Sequence, residues 1–352
     1  MPSAVTNAVS ASFEFTADEA GASFACSLDD AAFTPCTSPA SYSGLAEGAH
    51  NFKVSATDQA GNTDTTPASH SWEIVASILM AAGDIACKPG ATVTATKCHH
   101  GATSDLLMNE PELTNVLPLG DLQYEDACYS DFLGAGAYDS TWGQKKAISR
   151  PVPGNHEYHA PALCELLGGP GYYAYFGSAA GDPTKGYYSF DLGPWHLIAL
   201  NSEIAQGASS PQVAWLKEDL ATTTASCILA YWHKPRFSSG SHGTSTGPVQ
   251  LWNALYEKGA DLVLNGHDHD YERFKPQDPT GNLDPNGIRE FVVGTGGSAL
   301  VPLRTTIEPN SDVQNATTFG VLKLTLHALS YDWEFVPEAG GTFTDSGTAA
   351  CH

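Results

Sequence analysis

Apolar and polar positions follow two different rhythms along this 352-residue chain. Up to residue 75 the apolar side chains come in short alternating runs (11–15, 22–26, 50–56 and 69–75), split by Gly, Asp, Asn and Pro. A period of two is what a half-buried strand requires, so residues 1–75 predict a small all-β sandwich. From Ala76 the pattern becomes strand, helix, strand. Spacing predicts a helix starting at Thr103-Ser104-Asp105, another over 211–220, and a third over 250–258 that stops at Gly259. Residues 186–200 and 320–336 read as hairpins. Residues 76–352 thus predict an α/β domain of two packed sheets flanked by helices.

Five runs in the second region share one grammar: a short apolar stretch that reads as a buried strand and ends on a metal-binding side chain. They are 77–84, ending on Asp84; 115–121, ending on Asp121; 147–156, ending on Asn155 and His156; 227–233, ending on His233; and 260–265, followed by Gly266-His267-Asp268-His269. Ligands of open α/β sheets bind beyond the carboxyl ends of the strands, so these donors are expected to converge on one place. That place looks like a metal site.

Gly83-Asp84, Gly120-Asp121-Leu122-Gln123-Tyr124, Gly154-Asn155-His156-Glu157, Tyr231-Trp232-His233 and Gly266-His267-Asp268-His269 resemble, in order, the five blocks of the calcineurin-like metallophosphoesterases. The tyrosine of the second block resembles the purple acid phosphatase branch. The likeness covers residues 76–336 and implies a four-layer αββα sandwich with two metal ions. It implies that Asp121 bridges them, that Asp84, Tyr124 and His269 complete the first site, and that Asn155, His233 and His267 complete the second. A phenolate is a hard anionic ligand suited to Fe(III), so Fe(III) is expected at the Tyr124 site, with Zn, Fe or Mn at the other. Where much of the superfamily carries a histidine ligand this chain has Ala86, which cannot ligate; the purple subgroup usually has Gly there.

The resemblance implies hydrolysis of phosphate monoesters by a metal-bound hydroxide, with His156 and His242 outside the ligand set placed to assist the leaving group. Arg236 is a further candidate for phosphate, although an Arg at a strand end more often pairs with a surface carboxylate. Two other functions compete. A phosphodiesterase or nucleotide hydrolase would use the same metals, and loops 157–185 and 236–248 would decide how open the pocket is. A non-catalytic surface-binding protein would need a decayed ligand set, and here the set is intact.

Charge narrows the partners. Sixteen Lys and Arg against 39 Asp and Glu give a net charge of −23, which disfavours broad nucleic-acid binding and leaves a small phosphate ester dependent on local cations for attraction. Eight cysteines without a C-x-x-C pair argue for disulfides in an oxidising compartment. Short loops favour Cys26 with Cys36 and Cys87 with Cys98, which leaves Cys128 with Cys164 and Cys227 with Cys351, among many possible connectivities. The longest uncharged apolar run, 74–82, is too short to span a bilayer, and residues 1–12 have no signal-peptide pattern. A secreted bacterial protein is expected, its leader not included in this chain. Residues 56–64 resemble a stretch common in bacterial immunoglobulin-like modules of secreted proteins, which makes residues 1–75 a spacer or a module for surface or polymer contact.

Remaining motifs have plainer readings. Residues 243–247 match G-x-S-x-G but lack the strand-turn-helix setting of a nucleophile elbow. Residues 278–287 have calcium-loop flavour, broken by prolines and a missing terminal Glu, and read as a solvated turn. His99-His100 reads as a surface pair beside a disulfide, and Gly294-Thr295-Gly296-Gly297 as a tight turn.

Overall fold

The computed structural model describes residues 1–159, 164 and 171–352, and the chain divides into two compact units, one of Met1–Ser77 with Leu192–Pro194, the other of Ile78–Asp191 with Trp195–His352. The first unit is all-β. Strands β1 (Val5–Thr6), β3 (Ser23–Leu28), β4 (Thr34–Cys36), β6 (Gly48–Thr57) and β7 (Ala68–Ile74) form a sheet in the order β1-β7-β6-β3-β4. Strands β2 (Ser10–Phe13) and β5 (Ala40–Ser43) pair separately. Alternation along β2 buries Ala11 and Phe13, and the Phe13 ring stacks on Phe52 at 4.0 Å between centroids. Trp72 closes the same apolar cluster.

The second unit contains two larger sheets. Sheet I has the order β19-β18-β17-β8-β9, from β8 (Ser77–Ala82), β9 (Leu113–Pro118), β17 (Gly320–Leu326), β18 (Ser330–Pro337) and β19 (Ser346–Ala350). Sheet II has the order β10-β11-β12-β13-β15-β14-β16, from β10 (Tyr188–Leu192), β11 (Trp195–Ala199), β12 (Cys227–Tyr231), β13 (Leu262–Asn265), β14 (Tyr271–Phe274), β15 (Arg289–Val293) and β16 (Ser311–Asn315). Rings from sheet II meet rings from sheet I, as in Tyr271 with Phe335 and Phe291 with Trp333, so the two sheets pack face to face. Five α-helices are described: α1 (His100–Met108), α2 (Tyr129–Phe132), α3 (Gly171–Phe176), α4 (Pro211–Thr222) and α5 (Val249–Lys258). Val213, Leu216 and Leu220 of α4 and Leu251, Trp252 and Leu255 of α5 pack on Ile198, Ala230 and Val263 of sheet II. Helix α1 lies against β17 of sheet I. The result is a four-layer αββα sandwich, the architecture that the resemblance implies.

Local chemistry sets the ends of these elements. Ser210 caps α4 by accepting a hydrogen bond from Val213 N, with Pro211 at the first turn. Gly259 ends α5 in the left-handed conformation (φ 79°). Strands β11, β12 and β13 run parallel and are buried throughout, which is why they read as unbroken apolar runs.

Two expectations need correction. Helix α1 begins at His100, three residues before the Thr103 start, so Ser104 and Asp105 lie inside it. Residues 147–156 form no strand: a 3-10 helix (Trp142–Ile148) leads into a segment that touches β9 and its extension only through the isolated parallel bridges Val116 to Ser149 and Leu119 to Val152. Pro151 and Pro153 lack the N–H that a ladder needs, so the segment delivers Asn155 without becoming a strand.

Four disulfides join Cys26 to Cys36, Cys87 to Cys98, Cys128 to Cys164 and Cys227 to Cys351. Among the described residues no helix is long and apolar enough to cross a membrane.

Candidate metal centre

Each donor-bearing segment ends at the same edge of the sandwich. Beyond β8 and β9 the two chains keep pairing, through Asp84 N to Gly120 O, Ile85 N to Asp121 O and Ala86 N to Leu122 O, which brings the two aspartates side by side. Tyr124 N then bonds Ala86 O, fixing the tyrosine against the same edge. Its hydroxyl donates to Asp84 Oδ1 at 2.9 Å and lies 3.3 Å from Asp121 Oδ2 and 3.2 Å from His269 Nε2. From sheet II, His233 Nε2 lies 3.2 Å from Asp121 Oδ2 and 3.2 Å from His267 Nδ1. His269 Nε2 lies 3.2 Å from Asp84 Oδ1. Asp121, His233 and His267 offer ligand atoms all within 4.8 Å of one another.

The backbone does much of the aiming. Asp84 (φ 58°), Asp121 (φ 52°) and His267 (φ 71°) are all left-handed, a conformation that costs a non-glycine residue about 1–3 kcal/mol. Each is held by its own N–H: Asp84 by Gly120 O, Asp121 by Glu157, and His267 by Asp84 Oδ2 at 2.8 Å. Gly154 is required by close approach, since a Cβ there would fall 2.2 Å from Asp121 Oδ1.

Supporting groups that the sequence reading passed over complete the centre. His233 Nδ1 donates to Leu119 O and His269 Nδ1 to Ala299 O, so both rings turn Nε2 inward. The buried Glu157 carboxylate accepts from the N–H groups of Asp121, Leu122 and Gly154, tying the second block to the third. Asp268, buried between the two histidines of its block, accepts from Ser238 Oγ, Gly243 N and both the N–H and Nδ1 of His242. Both carboxylates lie within two residues of a proposed ligand in the sequence, but most of the groups they accept from lie far along the chain.

Gly294 and Gly296 also do more than turn. Gly296 N bonds Gly83 O, and a Cβ on Gly294 would meet Asp268 O at 2.0 Å and Asp84 Oδ2 at 2.9 Å, so only glycine lets this backbone pass beside the centre.

Electrostatics follow from this crowding. Burial opposes ionisation of Asp84 and Asp121, but the imidazoles of His269 and His233 outweigh it and hold both carboxyls below their usual range. Burial also opposes a charge on His233, yet Asp121 pushes it up to about 10, whereas burial and the His233 charge push His267 down to about 3. Burial and the Asp121 charge raise Glu157 to about 7 despite its three backbone donors. The Tyr124 phenol is driven well above its ordinary range by burial and by Asp84 and Asp121.

These residues fit metal ions. Two carboxylates, a phenol, an amide and three imidazoles, with no thiol, form a hard to borderline donor set. The Asn155 Oδ1 atom is buried with no hydrogen-bond partner, an acceptor left for a cation. Two imidazoles facing each other nitrogen to nitrogen need a shared proton or a shared cation, and the carboxylates beside them stabilise either positive charge.

His156 and His242 flank the donors. His156 N bonds Asp121 Oδ1, its Nδ1 bonds Glu125 O, and its Nε2 lies 3.8 Å from Asp121 Oδ2. The His242 ring, half exposed, lies 4.2 Å from that of His267 between centroids. Both line an open cavity of about 320 Å³ together with Asp121, Tyr124, Asn155, His267 and His269. Arg236 is directed elsewhere: its guanidinium meets Ser245 O and Pro279 O, because Glu290 holds the backbone at Arg236 and Phe237. His99 and His100 are not a free surface pair; His99 bonds Glu338 and stacks on Phe319, and His100 is buried against Gly136 O. Part of loop 157–185, residues 160–163 and 165–170, lies outside the described residues.

A fold with donors at strand ends beside a buried carboxylate pair is a setting suited to metal-assisted hydrolysis. Residues 98–271 match the family model described as calcineurin-like phosphoesterase. The chain's relatives belong to the purple acid phosphatase branch. Purple acid phosphatase 15 of Arabidopsis thaliana is 30% identical over 224 residues, 55% of this chain and 42% of the relative. Purple acid phosphatase 23 of the same plant is 28% identical over 223 residues, 55% of this chain and 48% of the relative. The chain spans less than half the length of these curated relatives. The solved structure of a purple acid phosphatase from yellow lupin (Lupinus luteus) seeds superposes with a TM-score of 0.63 at 18% identity, covering 97% of this chain and 71% of that one, a likeness of fold.

Proposed function

We propose that this protein is a secreted phosphomonoesterase with a dinuclear metal centre, in which residues 76–352 are the catalytic domain and residues 1–75 an immunoglobulin-like module for surface or polymer contact. The observation that carries the reading is the clustering of Asp84, Asp121, Tyr124, His233, His267 and His269, with Asn155 lining the same cavity and keeping a buried oxygen without a partner. In this reading Asp84, Tyr124 and His269 hold one cation, Asn155, His233 and His267 hold the other, and Asp121 is shared. Fe(III) suits the tyrosine side, and Zn, Fe or Mn the other. The two cations supply the positive charge that draws phosphoryl oxygens into an acidic protein and the acidity that makes water a nucleophile near neutral pH.

The chain's own residues then orient and protonate. Asp268 ties down His242 Nδ1 and leaves Nε2 free toward the cavity, where it hydrogen-bonds a phosphoryl oxygen or gives the leaving alkoxide its proton. His156 is anchored the same way by Glu125 O, with Nε2 on the opposite flank. As the P–O bond to the leaving group breaks and water adds in line, one of these Nε2 atoms supplies the proton that the alkoxide takes up. The four disulfides suit an oxidising compartment, which supports secretion.

Metal analysis with the visible spectrum of the purified protein is the test. About two metals per chain, one of them iron, with a purple or pink colour and turnover of p-nitrophenyl phosphate are expected. Failure to retain metal after reconstitution, with no turnover, would overturn the proposal.

A further inference from the structure

The cavity over the metal centre has a cationic rim on one side. Lys88 and Lys97 both line it, and both lie inside the loop closed by the Cys87–Cys98 disulfide, one just after the first cysteine and one just before the second. Their side chains are exposed, and among the described residues neither has an ion-pair partner. In a chain with 16 basic and 39 acidic side chains, two unpaired lysines at the mouth of one cavity are unexpected on chance alone.

The loop that carries them is tied to its neighbours at both ends. Lys97 pairs in a bridge with Thr94 and in another with Ala299, the residue whose carbonyl orients His269. Cys98 N bonds Ser298 O and Leu300 N bonds Thr96 O, so this arm is stitched to the backbone beside the centre. At the other end Gln123 Nε2 bonds Cys87 O, and a turn from Lys88 O to Ala91 N fixes where Lys88 leaves the chain. Opposing charge nearby comes from Asp121 and Glu125, which line the same cavity, and Asp131 feels the Lys88 charge without forming an ion pair. The backbone positions of both lysines are therefore fixed beside the cavity that the proposed metal donors also line, and their exposed side chains are free to reach a ligand there.

We propose that Lys88 and Lys97 form a subsite for a second phosphate on the leaving group, so that substrates carrying two phosphates are preferred over those whose leaving group is uncharged. An ammonium is a compact point charge suited to a phosphate reached at variable depth, and two of them tolerate a phosphate joined directly to the first or carried on a neighbouring carbon. The inference rests on the phosphoesterase reading and deepens it.

The experiment compares kcat/KM for inorganic pyrophosphate, a sugar bisphosphate and p-nitrophenyl phosphate in the metal-loaded wild type, the Lys88→Ala/Lys97→Ala double variant and the Lys88→Arg/Lys97→Arg double variant. The alanine variant is expected to lose about five- to tenfold more on a two-phosphate substrate than on p-nitrophenyl phosphate, chiefly in KM, with the arginine variant restoring the preference. Selective loss on pyrophosphate alone assigns the subsite to anhydrides, and selective loss on the bisphosphate alone to esters. An equal loss on all three substrates, or none, overturns the subsite and leaves the phosphatase standing. Should the wild type turn over none of them, the phosphatase reading fails, and calorimetric binding of pyrophosphate decides the lysines: a Kd weakened in the alanine variant supports them, and an unchanged Kd overturns them.

Discussion

In residues 1–77 the core is a pile of rings, Phe13 on Phe52 with Trp72 alongside, and the one ionisable side chain buried there is His50, bonded to Asp29 and Ala46 O. The other unit buries Asp84, Asp121, Glu157, Asp261, Asp268, Asp270, Glu272 and Glu290, with Asp84, Asp121, Glu157 and Asp268 beside the candidate metal centre. Neither oxygen of Asp270 has a partner, and burial with the Asp268 charge drives that carboxyl far up. Apolar stacking stabilises, whereas buried carboxylates cost stability unless something compensates them. The contrast teaches where to look for chemistry: in the unit that tolerates buried charge, at the edge where the tolerated charges face one another.

The largest effect should come from removing the shared carboxylate. Asp121→Ala is expected to cut turnover of p-nitrophenyl phosphate by about a thousandfold or more and to release metal, while far-ultraviolet circular dichroism stays that of the wild type. Near-wild-type turnover would sink the dinuclear reading. In the β unit the same size of change should be purely structural. Phe52→Ala removes a ring from a stack and should destabilise that unit by about 3–5 kcal/mol, measured by hydrogen exchange of the β6 and β7 amides, with kcat/KM unaltered.

A smaller effect is expected from Glu157→Gln, which leaves every proposed ligand in place but weakens the grip on Asp121 N and Gly154 N. Metal affinity should fall about 10- to 100-fold in a chelator competition, with the circular dichroism unchanged. The smallest is a pH effect. In the folded unit the bonds to Ala46 O and Asp29 overcome burial and raise His50, and the bonds from Asn51 and His50 overcome burial and lower Asp29. The His50 contribution is complete below its ordinary value of 6.5 and fades as pH rises through the higher folded value; that of Asp29 is complete above 3.8 and fades as pH falls through the lower folded value. Protection of the β6 amides should therefore be greatest between those ordinary values, and His50→Gln should flatten the alkaline side of the profile.

Much of this centre could be read from the chain because a buried strand and its terminal ligand are written together, as in Leu262–Asn265 followed by Gly266-His267-Asp268-His269. The segment before Asn155 misled on conformation, since its apolar residues suggested a strand while its prolines forbade the ladder. Glu157 and Asp268 were harder to see. A carboxylate that accepts from backbone N–H groups leaves no pattern of its own, and here the bonded N–H groups belong to residues such as Asp121 and His242, 36 and 26 positions away. Lys88 and Lys97 had no local signal at all: only the closure of their loop and its bridge to Ala299 put them at the cavity.

The Cys227–Cys351 bridge has a further consequence for how the molecule is assembled. It closes a covalent ring of the chain, and His233, His267 and His269 all lie within it, whereas Asp84, Asp121, Tyr124 and Asn155 all lie upstream. Synthesis therefore delivers every oxygen donor before any nitrogen donor, and the ring that secures the nitrogen donors cannot close until Cys351 has been made.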